Sequence, residues 1–211
     1  MVILIGNQKG GAGKSTLTLL LANYLAIDRH CMVTVIDMDY QQSLYQKFET
    51  TKVLENIEPY QVIPASLDEY PLIRDTIETS NDQVVLIDLP GKLDDDGLLP
   101  VFRAADLVIC PFAYDEFSFR STILFSVVLR KINDNAVIIY IPNRIKANVK
   151  YETLADVNEQ LTKFGEVTLP VPDRIDFQRT STFMTLPSIL PVIRPVFEHI
   201  YQHYLIHLHH E

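Results

Sequence analysis

The sequence predicts an α/β fold: a mostly parallel, twisted sheet with helices on both faces. Two observations carry this. Short apolar runs alternate with longer stretches of helical period along the chain. Most of the runs are β-branched and apolar on both faces, as strands buried from two sides must be. Size agrees, since 211 residues with 47% hydrophobic and 21% charged residues can bury a core without a disulfide or metal staple.

In order, the elements read as follows. Val2–Ile5 is four apolar residues and the first strand, followed by a glycine-rich turn and a helix over Lys14–Ala26. Val33–Ile36 and Gln61–Ile63 are the next strands, and Leu67–Glu78 has helical period. Val84–Ile87 is a fourth strand, apolar throughout, and Leu107–Pro111 a fifth. Phe117–Ile132 is a long helix, Val137–Ile141 a sixth strand, and Thr153–Phe164 and Pro191–Leu208 are the closing helices. Between Pro170 and Pro195 five prolines break any regular pattern (Pro170, Pro172, Pro187, Pro191, Pro195). Ile, Val, Phe and Leu are too frequent there for a solvated linker, so the segment is expected to pack against the sheet. The expectation is a single domain over residues 1–211. In sheets of this kind ligands bind at the carboxyl ends of the strands, which directs attention to the polar residues that follow them.

Net charge is −9, from 27 acidic and 18 basic residues, which argues against a wholly basic nucleic-acid binder but leaves a local patch open. Cys31 and Cys110 form no C-x-x-C pair and read as two buried thiols in a reducing compartment. No signal peptide and no apolar run near the ~20 residues of a membrane span is evident, so the expected location is cytoplasmic.

The chemistry begins after the first strand. Lys9-Gly10-Gly11-Ala12-Gly13-Lys14-Ser15-Thr16 joins that strand to its helix. The glycines leave room for backbone N–H groups to turn inward on phosphate oxygens, and the helix adds its positive N-terminal end. Lys14 is placed for the β- and γ-phosphates and the Ser15 hydroxyl for Mg²⁺. Asp37 and Asp39 follow the second strand. Strand alternation would put both on one face near the phosphates, where a carboxylate orients an attacking water or holds the water shell of a metal. The fourth strand ends in Asp88-Leu89-Pro90-Gly91, an acid placed to hold Mg²⁺ through water. The sixth runs into Pro142-Asn143-Arg144, where Asn143 either reads a base edge or makes an Asx-turn.

Asn7-Gln8-Lys9-Gly10-Gly11-Ala12-Gly13-Lys14-Ser15-Thr16, with its second lysine at Lys9, resembles the deviant Walker A motif of the ParA/MinD superfamily. Asp37-Met38-Asp39-Tyr40-Gln41 resembles the family's Asp-x-Asp-Pro-Gln, with Tyr40 in place of proline. Val84 to Asp88 resembles its Walker B strand. The resemblance implies a P-loop NTPase fold and a Mg²⁺-dependent ATPase with slow basal turnover. It implies phosphate and nucleotide contacts from Lys9 to Thr16 with Asn143 and Arg144. Asp39 positions water, and Ser15, Asp37 and Asp88 serve Mg²⁺, the two acids through water. Lys9 lies before the turn and is poorly placed for its own γ-phosphate, but it can reach one presented by a facing subunit.

Within the superfamily, neither cysteine sits in cluster-ligating surroundings, which disfavours the nitrogenase iron proteins. Tyr201 and Tyr204 are spaced for packing, unlike the tyrosine clusters of the bacterial tyrosine kinases. Residues 191–211 carry a single basic residue besides histidine, Arg194, so the membrane-binding helix of MinD is not expected. What remains is the small ParA form, in which a strand starting at residue 2 leaves no room for an N-terminal DNA-binding extension. Its implied behaviour is an ATP-dependent homodimer that binds DNA without sequence preference and answers to a ParB-like stimulating partner. The cargo would be a plasmid, chromosome or mobile element, and DNA binding would place the protein on the nucleoid. Lys146, Lys150, Arg174, Arg179 and Arg194 are the candidates for DNA contact. Two readings stand beside this one: a P-loop small-metabolite kinase or dethiobiotin-synthetase-like ligase, and an adaptor that binds nucleotide with negligible turnover. His199, His203 and His207 recur at helical spacing and read as the polar rim of a packed helix rather than a metal site.

Overall fold

In β1 (Val2–Ile5) the side chains of Ile3 and Ile5 turn to one face of the sheet and those of Val2 and Leu4 to the other, and all four are buried. Full burial of such a side chain contributes roughly 1.5–3 kcal/mol, so a strand like this is stable only with cover on both sides. β2 (Met32–Asp37), β3 (Gln61–Pro64), β4 (Gln83–Asp88), β5 (Leu107–Phe112), β6 (Val137–Pro142) and β7 (Glu166–Val167) join it. Together they form one seven-stranded sheet of order β3-β2-β4-β1-β5-β6-β7, parallel at every pairing. The computed structural model describes residues 1–52, 58–78, 83–92 and 94–206.

The cover is divided between two helical layers. α1 (Lys14–Asn23), α2 (Ser43–Lys52) and α7 (Leu190–Ile200) pack on the face of Ile3 and Ile5. α3 (Tyr70–Glu78), α4 (Leu98–Arg103), α5 (Glu116–Ile132) and α6 (Leu154–Leu161) pack on the face of Val2 and Leu4. The expected doubly covered parallel sheet is therefore what forms. Both cysteines are buried and neither forms a disulfide, with Cys110 inside β5. Among the described residues no helix is long and apolar enough to cross a membrane.

Several elements differ from the sequence reading. α2 was not expected, because among its ten residues only Leu44 and Phe48 are buried, which leaves little periodic signal. α4 is six residues with a proline inside, too short to register as a period. The expected helix from Leu67 starts as a 3₁₀ turn, Leu67–Glu69, closed by a capping box in which Glu69 accepts from Ser66, before α3 takes over. α1 widens into a π-type turn over Tyr24–Asp28, and α7 does the same over Tyr201–Leu205. The proline-rich segment does pack, with Val171, Thr180, Thr182 and Ile189 buried, and it holds a short 3₁₀ turn at Ile175–Arg179. On the C-terminal helix, His199 bonds Glu166 at 2.5 Å and stacks on His203, and Tyr204 donates to the same carboxylate. His207 lies outside the described residues, and among those described no cluster of three metal-binding side chains occurs.

Candidate functional site

The parallel register brings the ends of β1, β4 and β2 side by side, with Ile5 opposite Asp88 and Asp88 opposite Asp37. The loop after β1 crosses over these ends and turns into α1. Gly11 and Gly13 take positive φ, +73° and +93°, and a Cβ on Gly13 would stand 2.3 Å from the Asn143 amide nitrogen. Only glycine permits that turn. Gly10 is different: a Cβ there would meet nothing within 4 Å, so no protein contact requires its glycine.

Beneath the loop lies a cleft of about 330 Å³ lined by Gly10, Gly11, Gly13, Lys14, Ser15, Thr16, Asp39, Gln41, Ser43, Gly91 and Arg144. Gly10, Gly11, Gly13, Lys14, Ser15, Thr16, Asp39 and Arg144, all singled out in sequence, thus surround one space, whereas Lys9, Ala12, Asp37, Asp88 and Asn143 do not line it. The Lys14 side chain is largely buried, and its ammonium lies 3.6 Å from where a Cβ on Gly91 would be, so Gly91 leaves room for it. Ser15 Oγ donates to Asp88 Oδ2 at 2.5 Å, and Thr18 Oγ1 reaches Asp88 Oδ1 at 3.2 Å. Asp88 is fully buried, and burial pushes its carboxyl up to about 7, against the lowering effect of the Ser15 hydrogen bond. A buried acid in contact with a serine hydroxyl at the mouth of a glycine-rich loop is an all-oxygen set that suits a hard divalent cation.

Asp37 and Asp39 differ in burial and in partners. β2 ends at Asp37, Met38 N–H still donates to Asp88 O of β4, and Asp39 N–H donates to Asp37 Oδ1. Asp39 remains on the cleft wall, while Asp37 is wholly buried and its Oδ2 accepts the Leu44 and Tyr45 N–H groups in the first turn of α2. Burial raises the Asp37 carboxyl, although its three backbone hydrogen bonds pull the other way. Tyr40, at the family's proline position, extends to bond Asp95 in the segment after β4.

Asn143 and Arg144 brace the loop from the end of β6. Asn143 Nδ2 donates to Ala12 O at 2.8 Å and Arg144 Nη1 to Gly11 O at 2.7 Å. Arg144 holds a left-handed φ of 59° to do so, with its N–H on Asn143 Oδ1. Both also line a smaller pocket with Thr16, Pro172, Arg174 and Phe177. Of the five expected DNA contacts, Arg174 pairs with Asp176 and Arg194 with Asp28, each at 3.0 Å, while Lys146, Lys150 and Arg179 are exposed.

Lys9 does not line the cleft. Its backbone N–H rests on Asn7 Oδ1, and its ammonium lies 2.7 Å from Asp115 Oδ1. Asn7 is buried, donating to Pro111 O and Thr122 Oγ1, and so anchors the loop to β5 and α5. Sequence reading missed the roles of Asn7 and Asp115. The signal for Asp115 was present as Asp115-x-x-Ser118, a helix N-cap pattern two residues before the helix was expected to start.

Comparison with known proteins agrees with this fold. A search of curated proteins found no match. Among solved structures, a plasmid partition protein of Borrelia burgdorferi B31 bound to AMPPNP superposes with TM-score 0.73 at 23% identity, covering 98% of each chain. The MinC:MinD cell division complex of Aquifex aeolicus gives 0.73 at 18% identity, covering 95% of this chain and 94% of that one. Cobyrinic acid a,c-diamide synthase of Mycobacterium smegmatis, with ADP and magnesium, gives 0.65 at 19%, covering 96% and 94%. Identities this low establish a common fold. The family model described as the CobQ/CobB/MinD/ParA nucleotide binding domain matches residues 3–186, nearly the whole site included, and the chain belongs to that family.

Proposed function

We propose that this protein is a Mg²⁺-dependent ATPase switch of the ParA type, forming a homodimer with ATP and releasing it on hydrolysis to position plasmid, chromosomal or mobile-element cargo. The observation that carries the reading is the convergence of Lys14, Ser15 and Asp39 on one cleft, with the second lysine, Lys9, turned away from it. Loop N–H groups and the start of α1 bind the β- and γ-phosphates, and Lys14 adds a charge-assisted contact. Ser15, with Asp88 and Asp37 acting through water, would hold Mg²⁺, which neutralises charge on the phosphate oxygens. Asp39 orients a water in line with the γ-phosphorus. As the water oxygen bonds to phosphorus, the bond to the ADP oxygen breaks and phosphate leaves. Lys9 of a facing subunit would neutralise the charge that develops, which ties turnover to the dimer. Non-specific DNA and a ParB-like protein are the proposed partners.

The test is ATP turnover by the protein alone, then with DNA and a candidate partner. Slow loss that DNA and partner accelerate supports the switch, whereas loss that needs a small acceptor supports the metabolite kinase or ligase. Asp39→Ala should bind ATP with unchanged affinity and lose hydrolysis. Unchanged turnover in that variant would remove the water-positioning role.

A further inference from the structure

Lys9 is held by a contact that the proposed chemistry does not use. Its ammonium meets Asp115 Oδ1 at 2.7 Å, and that same oxygen accepts the Ser118 N–H at 2.9 Å, capping the 17-residue α5. Burial raises the Asp115 carboxyl, but the bonds from Lys9 and the Ser118 N–H outweigh it and leave it below the usual carboxylate range. The pair spans 106 positions of sequence, and both members are about two-fifths exposed, at 35% and 45%. An ion pair this open is weak and breaks without a large penalty.

We propose that Asp115 is a positioning residue that holds Lys9 against its own subunit until a facing subunit presents a γ-phosphate. The inference rests on the reading of Lys9 as a residue that acts across a dimer. Three features fit a latch. The backbone at Lys9 is fixed by Asn7, so only the side chain has to move. Asp115 loses nothing essential when Lys9 leaves, because its carboxylate keeps the Ser118 N–H and the positive end of α5. Lys9, in turn, exchanges a carboxylate for a phosphate, so its charge is never left unpaired. Without the latch, Lys9 would sample the interface freely and the ATP-bound protein would dimerise more readily.

Asp115→Asn separates the latch from the cap, since asparagine is as good an N-cap but carries no charge. The Asp39→Ala protein with ATP supplies a non-hydrolysing background in which to measure the monomer–dimer dissociation constant by sedimentation. Adding Asp115→Asn should tighten that dimer about four- to twenty-fivefold, since each of the two subunits no longer gives up an exposed ion pair that commands about two- to fivefold. Asp115→Glu, which keeps the charge, should restore the starting value. Glu116→Gln removes the same unit of charge from the neighbouring acid, which pairs with Arg120 and not with Lys9, and should change nothing. Equal tightening by Asp115→Asn and Glu116→Gln, or none by Asp115→Asn, overturns the latch. A second measurement needs no dimer. Amine-reactive labelling of Lys9 in nucleotide-free protein, read by peptide mass, should be two- to fivefold faster in Asp115→Asn, and equal rates reject the pairing. Faster labelling with no ATP-dependent dimer at all in Asp39→Ala would instead reject the dimer reading and keep the pairing.

Discussion

The three loop glycines serve two different ends. Gly13 is required by the protein itself: its φ is +93° and the Asn143 amide lies where a Cβ would go. Gly13→Ala should therefore destabilise the nucleotide-free fold by about 1–3 kcal/mol, through strain and displacement of Asn143. Gly10 faces open space. Gly10→Ala should leave the unfolding midpoint almost unchanged, within about 0.5 kcal/mol, yet weaken ATP binding about tenfold if the backbone closes on phosphate. Calorimetric melting with and without ATP separates the two. A Gly10 variant with full ATP affinity would show that the phosphates do not approach that residue.

At the scale of elements, the second helix shows how the site and the fold share residues. α2 buries only two side chains, and its first turn depends on the Asp37 carboxylate at the end of β2. Asp37→Ala leaves the Leu44 and Tyr45 N–H groups without their acceptor, beside a cleft wall that includes Ser43. Loss of a cap costs about 0.5–2 kcal/mol, and each buried orphan N–H adds to it. The expected outcome is about 1–3 kcal/mol lower stability in urea, with faster hydrogen exchange at Leu44 and Tyr45 than in α1. Uniform exchange throughout the protein would mean that Asp37 does not anchor α2 in particular.

The whole molecule responds to pH and to salt. Asp88 is protonated in the folded state up to about pH 7, whereas the unfolded chain releases that proton near the ordinary carboxylate value of 3.8. Between these values the native state binds more protons than the unfolded state, so stability falls as pH rises and levels off above about 7. The drop should be about 1–4 kcal/mol without nucleotide or metal, and Asp88→Asn should flatten it. A wild-type melting point that does not move between pH 5 and 8 in EDTA contradicts the burial of a chargeable Asp88. The proposed switch makes a separate demand on DNA binding. With a net charge of −9, binding must come from local basic residues and should need ATP and weaken steeply with added salt. Lys9→Ala should bind ATP as a monomer but lose the dimer and, with it, DNA binding. Retention of DNA on a column without ATP would count against the switch.

The sequence alone determined the parallel sheet and the glycine-rich loop after its first strand. Both are local signals: a strand buried on two faces must be apolar throughout, and a loop that wraps phosphate must be rich in glycine whatever surrounds it. Six strands and the cluster from Lys9 to Thr16 were legible for that reason. Only the tertiary structure decided what Asp37, Asn143 and Asp115 do, because each acts on a partner brought near by the fold. Asp37 caps a helix whose own pattern is too faint to read. Asn143 props Ala12 across 131 positions and Asp115 holds Lys9 across 106. A side chain's type sets which bonds it can make, but the order of strands in the sheet chooses the group that receives them.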